Sequence, residues 1–141
     1  MLQSTTATRI AAVLTAAAAT ALALGLRAVL SGDVTSTGAL EQNSGTALYA
    51  SAVYAAVVFL RPAAHPLTAG AWALAWCWAV ELAQLTPVPR TLSAQSILLR
   101  LVFGNAFDWT DVWWYPVGIV PLVLAHHALR RARTEPDGRE P

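Results

Sequence analysis

Two short segments of this sequence carry acidic and polar side chains at spacings that could do chemistry. Glu81 and Gln84 are three residues apart, and Asp108, Asp111 and Tyr115 follow at spacings of three and four. Residues three or four apart share one face of a helix, so each set predicts a polar stripe. Paired carboxylates can act as a general acid and base, or they can surround a ligand headgroup or an ion.

Three arginines are candidates to neutralise these carboxylates, namely Arg27, Arg90 and Arg100. Together with the acidic and polar residues they predict one polar cluster. That cluster is either a pocket open to one side or a closed network of ion pairs that holds helices together, and the residues alone leave both interpretations open. Three glycines are candidates for close helix packing, because glycine lets two helices approach each other: Gly45, Gly104 and Gly118.

The composition places this cluster in a membrane. Hydrophobic residues make up 56% of the 141 residues and charged residues only 12%, whereas soluble domains carry about a quarter charged residues. A membrane-crossing helix needs about 20 mostly apolar residues, and four windows are long enough or nearly so. They cover residues 10–30, 45–60, 67–85 and 111–129. The fold class that follows is all-α, a polytopic four-transmembrane-helix bundle.

Prolines and polar runs divide the chain. Pro87 and Pro89 end the third helix, since proline cannot continue the helical hydrogen bonds, and Pro116 and Pro121 predict a kink in the fourth. Between these two helices, the apolar and polar residues of Leu92–Phe103 alternate as in a short amphipathic helix, lying in the interface or re-entering the protein.

Residues 1–133 are therefore predicted to be one integral membrane domain and residues 134–141 a disordered cytoplasmic tail. The first helix has an alternative reading as a cleaved signal peptide, but Arg27 stands where a cleavage site would be expected.

Arginines in short loops set the orientation, because such loops stay in the cytoplasm. The segment from Ser31 to Ser44, read as the first loop, has no arginine, whereas Arg61 and the tail arginines lie in the turn and tail on the other side. Both termini are therefore predicted to be cytoplasmic, in a bacterial inner membrane, with the polar cluster facing outward. Arg90 and Arg100 would then lie outside, so an inverted topology is the alternative.

Several classes of function are disfavoured. A net charge of +1 gives no basic surface for nucleic acid. The single Cys77 excludes a disulfide within one chain. His65, His126 and His127 lie at the opposite membrane face from the carboxylates, so we expect no metal site and no cofactor.

With these residues in place, the chain resembles a bacterial membrane family known as domain of unknown function 2809. The resemblance rests on Arg100, Gly104, Phe107-Asp108-Trp109-Thr110-Asp111, Tyr115 and Gly118, on Glu81 with Gln84, and on Gly45 followed by Tyr54. The family usually carries an acidic residue directly after that first glycine, where this chain has Thr46. A looser resemblance connects the Glu81–Gln84 and Asp108–Asp111 segments to the VanZ-like family. Both imply a four-helix membrane fold in a bacterial envelope, and neither implies a reaction.

The leading hypothesis is a binding or structural protein of the cell envelope that lacks enzymatic activity. Its partners would be membrane lipid, a lipid-linked envelope precursor or another membrane protein, and the oligomeric state is left open. A membrane-embedded enzyme that uses Glu81 or Asp108 as an acid or base is the alternative, and a small transporter is a third possibility.

Overall fold

The computed structural model describes residues 5–15, 17–18, 21, 37–103 and 106–134, and its regular elements there are all α-helices, with no strand. In chain order the helices are α1 (5–15), α2 (Thr37–Leu60), α3 (Pro66–Ala83), α4 (Val88–Ser93), α5 (Ile97–Phe103) and α6 (Trp109–Thr134). Arg27, Gly104 and the tail 135–141 lie outside the described residues, as do the side chains of Arg90 and Arg100.

Local sequence explains where the helices begin. His65 caps α3, since its Nδ1 accepts a hydrogen bond from the Leu67 backbone N–H at 3.3 Å. Pro66 follows at the first helical position, where a missing N–H costs nothing. Asp108 caps α6 in the same way, with its Oδ1 accepting from the Thr110 N–H at 2.8 Å. The residues that directly precede α3 and α6 therefore determine where these helices begin.

Three residue stripes at four-residue spacing form the core. α2 contributes Ala50, Tyr54 and Val58, α3 contributes Ala69, Ala73 and Cys77, and α6 contributes Tyr115, Ile119 and Val123. A four-residue spacing keeps a stripe on one helix face, so each stripe can pack against the other two helices. Ala50, Ala69 and Ala73 are completely buried, and such small residues bring helix axes close together.

The three long helices therefore pack pairwise, α2 against α6, α3 against α6 and α2 against α3. The described part of α1 joins the same core through Ala12. In addition, the Arg9 guanidinium lies 5.8 Å from the centre of the Phe59 ring. The short helices α4 and α5 pack on each other in the connection between α3 and α6.

The exterior of this bundle is apolar. Two helices are long and apolar enough to cross a membrane, over Asn43–Leu60 in α2 and Trp109–Ala132 in α6, among the residues the structure describes. Only 28% and 22% of these windows are buried inside the protein, whereas the core helix of a soluble protein is mostly buried. Large apolar side chains such as Leu60, Trp72 and Trp113 are instead exposed.

The helix bounds differ from the sequence prediction at the start of α2 and in the α3–α6 connection, and α6 ends at Thr134 and not at the predicted residue 129. α2 begins at Thr37, so Thr37–Ser44 is helical and not part of a loop. The predicted single amphipathic helix is two short helices, because Ala94 and Gln95 form a turn and Ser96 caps α5 by accepting from the Leu98 N–H at 3.2 Å. Pro116 and Pro121 lie inside α6, as predicted.

Candidate functional site

Glu81 is the centre of the candidate site. It lies in the last turn of α3 and is completely buried. Its Oε1 accepts a hydrogen bond from the Asp108 backbone N–H at 2.7 Å, and its Oε2 accepts one from the Tyr115 hydroxyl at 2.7 Å. Hydrogen bonds to a carboxylate at this length belong to the strong class. One side chain of α3 therefore fastens both the residue that caps α6 and the first buried turn of α6.

Asp111 makes the corresponding connection to α2. Its Oδ1 accepts a hydrogen bond from the Thr46 hydroxyl at 2.7 Å. Asp111 lies in the first turn of α6, where the positive end of the helix dipole favours a carboxylate. Thr46 occupies the position at which the sequence resemblance led us to expect an acidic residue. In this chain a neutral hydroxyl donor meets Asp111 there.

Gln84 extends the cluster toward the short helices. Its Nε2 donates to the Phe103 carbonyl at 2.8 Å, which ties the end of α3 to the end of α5. Among the described residues its buried Oε1 has no hydrogen-bond partner. Through its Nε2 the amide holds the α4–α5 connection against the bundle.

Gly118 continues the inward face of α6 and marks its closest approach to α2. A Cβ added there would collide with the carbonyl group of Ala47. The hydroxyl of Ser51 lies 3.0 Å from both the Gly118 and the Ala47 carbonyl oxygens, and it can donate to either. Gly45, in contrast, has nothing within 4 Å of an added Cβ, so it is not at a close helix contact.

The predicted arginines are only partly placed. The backbone of Arg90 lies in α4 and that of Arg100 in α5, both in the connection next to the cluster. Their side chains, and all of Arg27 and Gly104, are outside the described part. Within the described residues, Glu81 and Asp111 accept hydrogen bonds from neutral donors: a backbone N–H, a phenol and a hydroxyl.

A second set of polar contacts lies at the other end of the bundle. Arg130 Nη2 donates to the Pro62 carbonyl at 3.2 Å, and the His65 and His127 rings lie 5.6 Å apart. These contacts join the end of α6 to the α2–α3 turn. Asp111 and Arg130 are separated by roughly 28 Å along the helix axis at 1.5 Å per residue. That length is close to the hydrocarbon thickness of a bilayer, about 30 Å.

Two clefts of the described structure lie away from the cluster. A cleft of about 470 Å³ lies between α2 and α3, and one of about 570 Å³ lies between the α1 region, α2 and α6. Neither is lined by Glu81, Asp108 or Asp111. Among the described residues, no group of three or more His, Cys, Asp or Glu is arranged to hold a metal ion.

Sequence reasoning missed three contributors to this site: the Ser51 hydroxyl, the Phe103 carbonyl and the phenol of Tyr49. Tyr49 donates to the Val102 carbonyl at 3.0 Å and accepts from Trp76 Nε1 at 3.3 Å. Ser51 could have been found, because a small polar residue inside an apolar helix is typical of membrane-helix contacts. A backbone carbonyl leaves no signal in the sequence.

Comparison with known proteins identifies a family. The model of a family described as "Protein of unknown function (DUF2809)" matches residues 35–119. This range runs from before α2 to the middle of α6, and it includes Glu81, Asp108, Asp111 and Gly118. No curated protein and no solved structure matches the chain. The looser resemblance to the VanZ-like family stays a prediction.

Proposed function

This chain belongs to the DUF2809 family, and on that premise we propose that it is a multi-pass protein of the bacterial inner membrane with a binding or structural role in the cell envelope. Four helices, including α3 and the first helix, cross the bilayer. The polar cluster fastens them at the outer face, and both termini are cytoplasmic. The partners are membrane lipid and, through the outer face, an envelope precursor or another membrane protein.

The observation that carries this proposal is the complete burial of Glu81 together with the hydrogen bonds to both of its oxygens. A buried carboxylate is costly unless it is paired or hydrogen-bonded. In this bundle each oxygen of Glu81 accepts a hydrogen bond from Asp108 or Tyr115, at or just before α6. The buried carboxylate therefore links α3 to α6. An acid–base catalyst needs a substrate within reach of its oxygens, and no exposed surface remains on Glu81.

The distribution of apolar surface supports the membrane setting. Trp72 and Trp113 are 67% and 75% exposed, and in water such side chains on neighbouring helices would form an aggregation-prone surface. In a bilayer the same surface faces acyl chains at no cost. The acidic cluster and the basic end are separated by about one hydrocarbon thickness, which supports a setting in which each charged group lies near a membrane face.

The proposal is tested by substituting Glu81 and following the protein in membranes. Native chain is expected to stay in the membrane pellet after an alkaline wash, and to run as one species in mild detergent. Glu81→Gln keeps an acceptor for the Asp108 N–H and is expected to stay folded with reduced stability. Glu81→Leu leaves a buried donor and a partly buried donor without their acceptor and is expected to lose the folded species.

Thr91→Val, which removes an exposed hydroxyl from α4, is the control and is expected to behave as native. Full retention of the folded species by Glu81→Leu would contradict the fastening role. Release of the native chain by the alkaline wash would contradict the membrane setting. A change in envelope-antibiotic sensitivity in a well-folded Glu81→Gln variant would point to a binding role that involves the cluster directly.

A further inference from the structure

The cleft between α2 and α3 is built for an amphiphile. Its walls are apolar, formed by α2 residues from Val53 to Leu60 and by Trp72 and Trp76 of α3, and its one charged lining residue in the described chain is Arg61. The volume of about 470 Å³ is within the range of small-molecule sites, about 300–1,000 Å³. A long apolar wall that ends in a single cation matches a ligand with an apolar chain and an anionic end.

The lengthwise order of the lining residues fits such a ligand. Arg61 directly follows α2, while Trp72 and Trp76 lie six and ten residues beyond Pro66, the start of α3. At 1.5 Å per residue the two rings stand roughly 9 and 15 Å along α3. The cation is therefore at the end of the helix and the apolar wall extends toward the membrane interior, which is the order of headgroup and acyl chain in a lipid.

Arg61 differs from the neighbouring basic residues in its protein contacts. The Arg9 guanidinium lies over the Phe59 ring, and Arg130 donates to the Pro62 carbonyl. For the exposed Arg61 side chain, the described part of the chain provides neither a hydrogen bond nor an ion pair. A guanidinium that faces a cleft without a protein acceptor is free to bind an anion through several N–H groups.

We propose that this cleft binds one anionic phospholipid, with the phosphate on Arg61 and an acyl chain along Trp72 and Trp76. This inference rests on the proposed membrane function. A second copy in the same orientation fits less well, because the described carboxylates Glu81, Asp108 and Asp111 lie at the opposite end of the bundle from Arg61. The anionic lipids of a cytoplasmic leaflet attract basic residues at its surface, which is the face proposed for Arg61.

In the experiment, the full chain is purified in mild detergent. It is then mixed with equal amounts of phosphatidylglycerol and phosphatidylcholine that carry the same acyl chains. Native mass spectrometry then measures the ratio of the two lipids retained. The unsubstituted chain is expected to favour phosphatidylglycerol. Arg61→Gln is expected to lower that preference about fivefold, the effect of one basic residue near an anionic surface, whereas Arg61→Lys keeps most of it.

Two further variants separate headgroup from chain recognition. Arg131→Gln removes the same charge at the same end of the bundle but outside the cleft, and it is expected to leave the preference unchanged. Ala56→Phe adds a ring to the cleft wall, and it is expected to reduce retention of both lipids several-fold. Quenching of tryptophan fluorescence by lipids with brominated acyl chains checks the same contact, and Trp72→Phe with Trp76→Phe is expected to reduce it more than Trp113→Phe, which removes an exposed ring outside the cleft.

Three results would overturn the inference: an equal lipid preference in Arg61→Gln and native chain, an equal loss in Arg131→Gln, or unchanged retention in Ala56→Phe. A preference for phosphatidylglycerol that is absent in the native chain and emerges only after removal of residues 135–141 would also overturn it. Arg61 would then interact with the acidic residues of the tail and not with lipid. Failure of the native chain to enter bilayers contradicts the proposed function itself. Normal insertion without any dependence on Arg61 contradicts only the lipid site.

Discussion

Tyr115→Phe is the most direct perturbation of the fastening between α3 and α6. The substitution removes one oxygen atom and keeps the ring, which is 4% exposed and packs in the core. What is lost is the hydrogen bond from the Tyr115 hydroxyl to Glu81 Oε2 at 2.7 Å. Oε2 of a completely buried side chain then loses that donor.

The magnitude follows from burial and charge. A hydrogen bond to a charged group contributes about 1.5–3 kcal/mol, and an unsatisfied buried acceptor costs about 1–3 kcal/mol. Hydrogen bonds between membrane helices average about 0.6 kcal/mol, with a maximum near 1.7. Because Glu81 has no exposed surface through which water could replace the donor, we expect a loss in the free energy of unfolding of about 1.5 kcal/mol or more.

The assay is reversible unfolding in mixed detergent micelles, with tryptophan fluorescence as the signal. Tyr54→Phe is the matched control, because it also removes a tyrosine hydroxyl. That hydroxyl lies 2.8 Å from His126 Nδ1, and the contact is only partly buried. We expect its cost to be about 0.5–1 kcal/mol. The double variant Glu81→Gln, Tyr115→Phe should show coupling, with a combined loss smaller than the sum of the two single losses.

Two results would refute this reasoning. One is a loss of unfolding free energy for Tyr115→Phe that is no larger than the loss for Tyr54→Phe. The hydrogen bond to Glu81 would then contribute no more than the partly buried contact of Tyr54. The other is strict additivity of Glu81→Gln and Tyr115→Phe, which would mean that the two side chains do not interact energetically.

Three other predictions concern the contacts of α2. Gly118→Ala places a methyl group against the Ala47 carbonyl and should lower the free energy of unfolding by about 1–3 kcal/mol. Gly45→Ala adds its methyl group in open space and should raise that free energy by about 0.5–1 kcal/mol. Equal effects of the two variants in the same micelle titration would contradict the close approach of α6 to α2 at Gly118. Thr46→Val removes the donor to Asp111 and should cost about 1 kcal/mol, while Thr46→Ser should stay near native; an equal loss in both would show that the methyl group matters and not the hydroxyl. Ser51→Ala should cost about 0.5–1.5 kcal/mol, since it leaves the Gly118 carbonyl without its side-chain donor, and amide hydrogen exchange should quicken in the adjoining turns; unchanged exchange would argue that the hydroxyl bonds only within its own helix.

The long helices of the fold could be predicted because apolar periodicity survives in the sequence. α3 starts at Pro66 and ends at Ala83, close to its predicted apolar window. The start of α2 could not be predicted from hydropathy, since Thr37–Ser44 is polar and yet helical. Glu, Gln and Ala are good helix formers, so a helix can extend past the apolar residues that identify it.

Some residues of the candidate site could be grouped from the sequence, whereas their hydrogen-bond partners could not. Three- and four-residue spacing placed Asp111, Tyr115 and Gly118 on one face of α6, and the structure brings that face to α2 and α3. Asp108 lies just before α6 and caps it. Which donor meets which carboxylate depends on the relative height of the helices. This relative shift of the helices along their axes is set by the contacts of Ala and Gly residues between them. Hydropathy does not encode those contacts.

The central claim is that the chain crosses a membrane with the Glu81 cluster at the face opposite to the α2–α3 turn. Two exposed alanines test it in a Cys77→Ala background, which removes the single natural cysteine: Ala106→Cys next to the cluster and Ala63→Cys in the turn. Membrane-impermeant maleimide is applied to intact spheroplasts and to inverted vesicles. We expect position 106 to be labelled in spheroplasts and position 63 only in inverted vesicles. Labelling of both positions from the same side would contradict the account.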